Sequence, residues 1–307
     1  MVKYYRHFGL ERDPFLDTVD PYFYCEGVVA LQAKRRILSS IDQSRGLSVI
    51  LGEPGTGKTS LSTAVEQELL ADDNVVLGKI LDPTFASEIE FLISVGRVFG
   101  FALPPRSSAA LKNALKNFFF DTAVLENHTP VLIVDEAQNL NDASLEALRM
   151  LLNYQIPQKK LLNVLLLGQS ELERHIVTRA NFADRVDSWI RLQPLDRPMT
   201  DALVEFRLQR AGLPPGQRIF SDGAREILFA ATAGLPRRIT TLAHAAMEEA
   251  AERGSTGVFE DHVRGAALNR GLTLTAAANA PSSNGAEKSE NARVAFPFFS
   301  WLQKRKA

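Results

Sequence analysis

This 307-residue sequence predicts an α/β fold: a three-layer αβα sandwich around a parallel sheet, followed by a small all-helical domain. Three observations carry that expectation. Between Gly46 and Pro194, short apolar segments alternate with segments of helical periodicity, as strand–helix–strand crossovers require. The first apolar segment runs into Gly52-Glu53-Pro54-Gly55-Thr56-Gly57-Lys58-Thr59, the phosphate-loop pattern G-x4-G-K-[ST]. Beyond Pro194 the strand pattern stops, and helical segments punctuated by glycine take over.

The elements follow in order. Residues 47–51 read as a buried strand, and residues 60–70 place Leu61, Ala64, Val65 and Leu69 at helical spacing. Further strands are predicted at 75–81, 131–134, 161–167 and 189–192. A helix beginning near Ser87 opens on a capping box with Glu90 and stops at Gly100. Another covers 108–126 and turns Leu111, Leu115, Phe118, Phe119 and Leu125 inward. A third follows Asn141, a good cap, and carries Leu145, Leu148, Leu151 and Leu152. In the helical part, 200–211 closes at Gly212, 221–232 at Gly234 and 236–253 at Gly254. Pro236 at a helix start and glycine just past a helix end is the expected asymmetry. A short helix covers 260–269.

From Gly271 the composition turns to Ala, Ser, Asn and Gly without periodicity, which predicts a disordered tail. That tail closes on Phe296, Phe298, Phe299, Trp301 and Leu302, followed by Lys304, Arg305 and Lys306. An apolar cluster beside cations suits an acidic partner groove or an anionic membrane surface, or else folds back onto the core. The domain limits read from the sequence are an N-terminal segment at 1–45, a phosphate-loop core at 46–196, a helical lid at 197–270 and the tail at 271–307.

A hydrophobic content of 45% with 23% charged residues places the chain among soluble globular proteins. The net charge of −1 supplies no global positive field for nucleic acid, so DNA binding rests on a local patch drawn from the 35 basic residues. Cys25 is the single cysteine, which excludes an intrachain disulfide, and no partner motif marks it as a nucleophile. No apolar run approaches the roughly 18 residues of a membrane helix, and the N-terminus lacks a signal-peptide layout. The cytoplasm is the expected compartment.

The phosphate loop implies a nucleoside triphosphate. Glycines let the backbone fold tightly, so that successive N–H groups and the helix start at Lys58, Thr59 and Ser60 point at an anion. Lys58 is expected to reach the β- and γ-phosphates and Thr59 to ligate Mg²⁺. Without nucleotide, Lys58 is expected to be solvated and structurally idle. Residues 130–136, Pro-Val-Leu-Ile-Val-Asp-Glu, form an apolar strand closing on two carboxylates. At this distance from a phosphate loop, Asp135 is the candidate metal-orienting carboxylate and Glu136 the candidate base or positioner of the attacking water. Gln169 ends another apolar strand, where an amide could touch the γ-phosphate or that water. Arg185 and Arg237 are candidates for transition-state cations, with a surface ion pair as the other reading of each. Arg237 lies in a helix's first turn, where a cation opposes the dipole unless an external anion offsets it.

These motifs together resemble an AAA+ ATPase across 46–270. The opening Tyr4-Tyr5, Phe8-Gly9-Leu10, Pro14-Phe15, Asp20-Pro21 and Phe23-Tyr24 is similar to that of the general secretion pathway protein A (ExeA-like) family. Gly168-Gln169-Ser170-Glu171-Leu172 and Asp184-Arg185-Val186 resemble further segments of that family, with Ser170 in place of its usual proline. The resemblance implies Mg²⁺-dependent ATP hydrolysis in an oligomer, a ring or filament with ATP at subunit interfaces. Gln169 becomes sensor 1, Arg185 an arginine finger acting on a neighbouring subunit, and Arg237 sensor 2. The N-terminal aromatics are implied to lie near the adenine. The implied role is secretion or envelope assembly, with a peripheral position at the inner membrane, and the tail's own apolar and basic end is the candidate contact for such a partner. Members of that family often continue into a membrane helix and a periplasmic region, which this sequence does not show. Two alternatives remain: an ATP-dependent DNA-binding regulator of transposition, and an ATP-gated switch with little turnover.

Overall fold

The computed structural model describes residues 3–18, 20–101 and 107–272. Among them, five strands pair in parallel: β1 (Leu47–Gly52), β2 (Val75–Ile80), β3 (Thr129–Val134), β4 (Asn163–Gly168) and β5 (Val186–Leu192). Their order across the sheet is β2-β3-β4-β1-β5. The helices in chain order are α1 (Tyr4–His7), α2 (Val28–Asp42), α3 (Lys58–Leu69), α4 (Glu88–Val98), α5 (Ser108–Phe120) and α6 (Asp142–Leu151). They continue with α7 (Ser170–Val177), α8 (Ala180–Ala183), α9 (Arg197–Arg210), α10 (Asp222–Thr232), α11 (Pro236–Glu252) and α12 (Glu260–Asn269).

Alternation along the strands makes the three layers. Leu47, Val49, Leu51, Leu132, Val134, Val164 and Leu166 enter one core with Phe91 and Leu92 of α4, Leu115 and Phe119 of α5, Leu148 of α6 and Leu172 of α7. Their neighbours Ile50, Val131, Ile133, Leu165 and Leu167 enter the opposite core with Ala33, Ile37 and Ile41 of α2 and Leu61, Val65 and Leu69 of α3. Successive strand side chains point to opposite faces, so strands apolar at every position must be covered on both sides. A third core, in the helical part, unites Leu203 and Leu208 of α9, Leu228 of α10, Leu242 and Ala246 of α11 and Val263 of α12.

Helix starts are fixed by side-chain caps. The Ser87 hydroxyl accepts the Glu90 N–H at 3.3 Å, Asn141 that of Ser144 at 2.9 Å, Asp196 that of Met199 at 2.8 Å, and Ser221 that of Ala224 at 3.0 Å. Each such cap contributes about 1 kcal/mol.

The N-terminal aromatics, which the family resemblance implies lie near the adenine, pack on the helical part. Tyr5, Leu10, Phe15 and Phe23 are buried in the core of the helical part, and Tyr4 and Phe8 pack against it. Fully burying a residue such as Phe15 stabilises by about 1.5–3 kcal/mol, which anchors the segment to α9–α12. Cys25 packs at the same core, and burial pushes its thiol up to about 11, so it is a poor nucleophile.

Other elements differ in extent. Helix α2 has no counterpart among the expected elements. The helix expected over 108–126 is α5 followed by a π-helical turn, Asp121–Leu125. Strand β5 begins three residues before the expected 189, because it is an edge strand whose exposed Asp187 breaks the apolar run. Helices α7 and α8 are too short to give a periodic signal. The tail's aromatic and basic end, Phe296 to Lys306, lies outside the described residues. No helix among the described residues is long and apolar enough to cross a membrane.

Candidate active site

The strand order decides which residues meet. Strand β4 lies between β3 and β1, so the carboxyl ends of three neighbouring strands carry Asp135-Glu136, Gln169 and the phosphate loop side by side. Ligands of open parallel sheets bind at this end.

The phosphate loop turns into α3 through Gly57, whose φ of 97° is left-handed and whose carbonyl accepts the Leu61 N–H at 2.9 Å. Gly55 also has a left-handed φ, 84°, and a Cβ there would lie 3.1 Å from the Cβ of Arg237. Glycine at 55 therefore serves two purposes: it takes the turn, and it admits the first turn of α11. The Arg237 N–H donates to the Gly55 carbonyl at 3.2 Å. Thr56 Oγ1 donates to the Glu53 carbonyl at 2.8 Å and braces the loop from within, whereas Glu53 and Pro54 are exposed.

Lys58 departs from the solvated, idle state expected of it. It is only 6% exposed, and its Nζ donates to the carbonyls of Gly52 at 2.8 Å and Glu53 at 3.1 Å. The loop carbonyls turn inward and take the ammonium, so the lysine holds its own cradle shut. Burial pushes the Lys58 pKa below the ordinary lysine value, with Glu136 and Asp135 opposing that shift through their charge. A buried cation bonded only to neutral carbonyls fits an incoming polyanion.

Asp135 is buried at the end of β3, where its N–H donates to the Ile80 carbonyl at 2.9 Å. Its Oδ2 accepts the Thr59 hydroxyl at 3.2 Å, joining the two residues expected to hold the metal. A hydroxyl and a carboxylate at one point form the oxygen donor set that Mg²⁺ prefers. Asp135 Oδ1 accepts the Glu136 N–H at 2.9 Å. Glu136 itself has a left-handed φ of 48°, a conformation that costs a non-glycine residue about 1–2 kcal/mol. Such strain falls at the end of a core strand, directly beside the candidate metal carboxylate Asp135.

Gln169 occupies the N-cap position of α7 directly after β4, with no side-chain cap bond, and Ser60 lies in the first turn of α3. The Gln169 N–H donates to Gln138 Oε1 at 3.3 Å, and Gln138 Nε2 donates to Glu136 Oε2. Gln138 is the site residue that sequence reasoning missed. Its signal was present in the run Asp135-Glu136-Ala137-Gln138, but a role across strands is invisible to local spacing.

Arg237 reaches out from α11 with its Nε 3.6 Å from Asp17 Oδ1, and both side chains are mostly exposed. Arg185 lies apart from the rest. Val186 pairs with Leu47 at the amino end of β1, whereas Leu192 pairs with Gly52 at the loop end. Five strand residues separate the two ends by roughly 17 Å, beyond the reach of an arginine side chain. Arg185 instead neighbours Lys160, whose stem lies over Gly46 and whose pKa is pushed down by burial and by the Arg185 charge.

A phosphate loop, an Asp-Glu pair, an intervening polar strand end and a helical lid seated on the loop define the class: the chain belongs to the AAA+ P-loop ATPases. An AAA domain profile matches residues 41–176. The chain is an ExeA-like member of that class, 32% identical over 257 residues to general secretion pathway protein A of Aeromonas hydrophila. That match covers 82% of this chain and 46% of the relative, so the chain spans about half the relative's length. Among solved structures, Drosophila ORC bound to DNA superposes with a TM-score of 0.65 at 20% identity, over 88% of this chain and 66% of that one. ORC2 of Aeropyrum pernix, in its ADPNP-ADP complexes, gives 0.63 at 19% identity, over 89% and 74%. The RuvB branch migration motor of Thermotoga maritima gives 0.53 at 15% identity, over 81% and 73%. At these identities the likeness is one of fold.

Proposed function

We propose that the chain hydrolyses ATP in a Mg²⁺-dependent reaction within an oligomer, and that the resulting conformational change serves secretion or envelope assembly. The observation that carries this reading is the convergence of Lys58, Thr59, Asp135, Glu136 and Gln169 on one sheet end, with α11 hydrogen-bonded to the phosphate loop.

Lys58 exchanges its two carbonyl acceptors for phosphate oxygens. The N–H groups of the loop and of the first α3 turn, through Ser60, bind the same anion. Thr59 and Asp135 hold Mg²⁺, which supplies charge neutralisation on the phosphates. Glu136 orients a water and takes its proton, and Gln169 fixes the γ-phosphate end of that geometry. Arg237, seated on the loop through its backbone, turns its guanidinium from Asp17 toward the phosphates. Arg185, remote from its own loop, serves the nucleotide of a neighbouring subunit, which requires ATP at subunit interfaces of a ring or filament.

The process proposed is supported by the similarity to the Aeromonas general secretion pathway protein A. A cytoplasmic position, peripheral at the inner membrane, fits that process, as does a secretion partner engaged by the C-terminal tail. Two other readings are separable. DNA work is suggested by the ORC structures in complex with DNA, yet a net charge of −1 offers no general field for it. A switch with little turnover would bind ATP and leave it intact.

The test is steady-state ATP turnover by the purified chain across protein concentration, with Mg²⁺ or with EDTA. A Mg²⁺-dependent rate per subunit that rises with concentration supports hydrolysis at interfaces. Tight binding without turnover would establish the switch, and salt-sensitive, ATP-dependent retention on duplex DNA would establish the DNA reading.

A further inference from the structure

Gln138 lies on the short 3-10 turn Ala137–Asn139 that begins directly after Glu136. Its side-chain amide is used at both ends. Nε2 donates to Glu136 Oε2, and Oε1 accepts the Gln169 N–H at 3.3 Å. The two partners fix the amide's orientation, since a flipped amide would set its oxygen against a carboxylate and its NH₂ against an N–H. Space for this bridge is provided at the end of β4. A Cβ on Gly168 would lie 3.0 Å from Gln138 Oε1 and 2.6 Å from a Leu172 methyl. Glutamine therefore spans from the Asp-Glu turn on β3 to the first backbone amide beyond β4, and its only polar contacts among the described residues are Glu136 and Gln169.

We infer that Gln138 is a positioning residue for hydrolysis: it fixes the Glu136 carboxylate and ties it to the strand end that carries Gln169. A shift of Gln169 on meeting the γ-phosphate then moves the acceptor side of the bridge, and the donor side carries Glu136 with it. Presence of the terminal phosphate and aim of the water-activating group become one event. The inference rests on the proposed role of Glu136 and adds the residue through which that role is set.

Gln138→Met tests it, because methionine keeps the chain length and volume while removing donor and acceptor. The variant is made in the wild-type chain and in Glu136→Gln, and kcat and KM for ATP are measured in all four. A hydrogen bond to a charged group accounts for about a 10–100-fold effect, so kcat should fall by that factor with KM nearly unchanged. In the Glu136→Gln background the same substitution should leave residual turnover almost unaltered, since its target is already gone. An equal proportional loss in both backgrounds would mean that Gln138 acts by packing, and would overturn the inference. A rise in KM with kcat intact would also overturn it. If Glu136→Gln alone hydrolyses ATP at the wild-type rate, the reading of Glu136 fails first and takes this one with it. Should Gln138→Met not fold, Gln138→Asn replaces it: it keeps both polar groups but retracts them by one methylene, and the same four-way comparison applies.

Discussion

The backbone N–H of Arg237 donates to the carbonyl of Gly55, 3.2 Å away, so the first turn of α11 is seated on the phosphate loop itself. The helical part is thereby coupled to the nucleotide end of the sheet through main chain, whatever the side chains do. Gly55 permits this contact only because it lacks a Cβ. Gly55→Ala sets a methyl 3.1 Å from the Arg237 Cβ and forces alanine to a φ of 84°. The expected outcome is at least about a tenfold loss of ATP affinity, equivalent to roughly 1.4 kcal/mol, with the thermal midpoint lowered by only a few degrees. Unchanged affinity by calorimetric titration would show that the seating is incidental.

Lys58→Ala should abolish nucleotide binding and, in protein without added nucleotide, also loosen the loop. Its ammonium bridges the Gly52 and Glu53 carbonyls, so hydrogen exchange at the loop amides should quicken while the sheet stays protected. Normal ATP affinity in the folded variant would contradict the phosphate-loop assignment.

Arg185 lies at the sheet end opposite its own phosphate loop, as the pairing of Val186 with Leu47 requires. Arg185→Ala should lose on the order of 10³-fold in turnover, the scale of an arginine finger. Mixing it with Glu136→Gln subunits should restore activity, because some interfaces then combine an intact Glu136 with an intact Arg185. Turnover that is independent of protein concentration, with no restoration on mixing, would rule out action in trans.

A pH dependence of stability follows from the N-terminal segment. Asp13 accepts the Tyr4 hydroxyl and the Phe15 N–H, and its Oδ2 lies 3.7 Å from His244 Nδ1 on α11. The Asp13 carboxylate holds the His244 pKa above its ordinary value, against burial, and Glu248 adds to the rise. Burial raises Asp13, but His244, Tyr4 and the Phe15 N–H outweigh it and leave its pKa lowered. A raised histidine contributes stability fully present below its unfolded pKa of about 6.5 and lost as pH climbs through the folded value. A lowered aspartate contributes stability present above about pH 4 and lost as pH falls through its folded value. The contact should therefore help most between those limits. The thermal midpoint should decline more steeply from pH 6 to 8 in the wild type than in His244→Gln. Parallel profiles would show that the contact carries no stability.

The chemistry of the site was more legible than its wiring. The phosphate loop and Asp135-Glu136 are local patterns whose spacing fixes their geometry, and each strand core appeared as an apolar run because it is covered on both faces. The expected extent of edge strand β5 was cut short by the exposed Asp187, which one-sided burial permits, and by Ser188, a polar residue that is buried. Helix α2 went unpredicted although Ala33, Ile37 and Ile41 recur at four-residue spacing, because Gly27 gives no side-chain cap to mark its start. Gln138 was unreadable for a different reason. Its partner Gln169 is 31 residues away, and only the placement of β4 beside β3 brings them together. The destination of Tyr5, Phe15 and Phe23 likewise depends on which core has room, and that is a property of the packed helices α9–α12.

Glu136 is proposed to activate water on an ATP held by the loop. Glu136→Gln, measured for both ATP affinity and turnover, checks that role. Affinity should stay near the wild-type value, because the amide keeps the shape of the side chain and leaves Lys58, Thr59 and Asp135 in place. Turnover should fall by roughly 10²–10⁴-fold, the contribution of a positioned base. Hydrolysis that survives within a few-fold of wild type would contradict the claim.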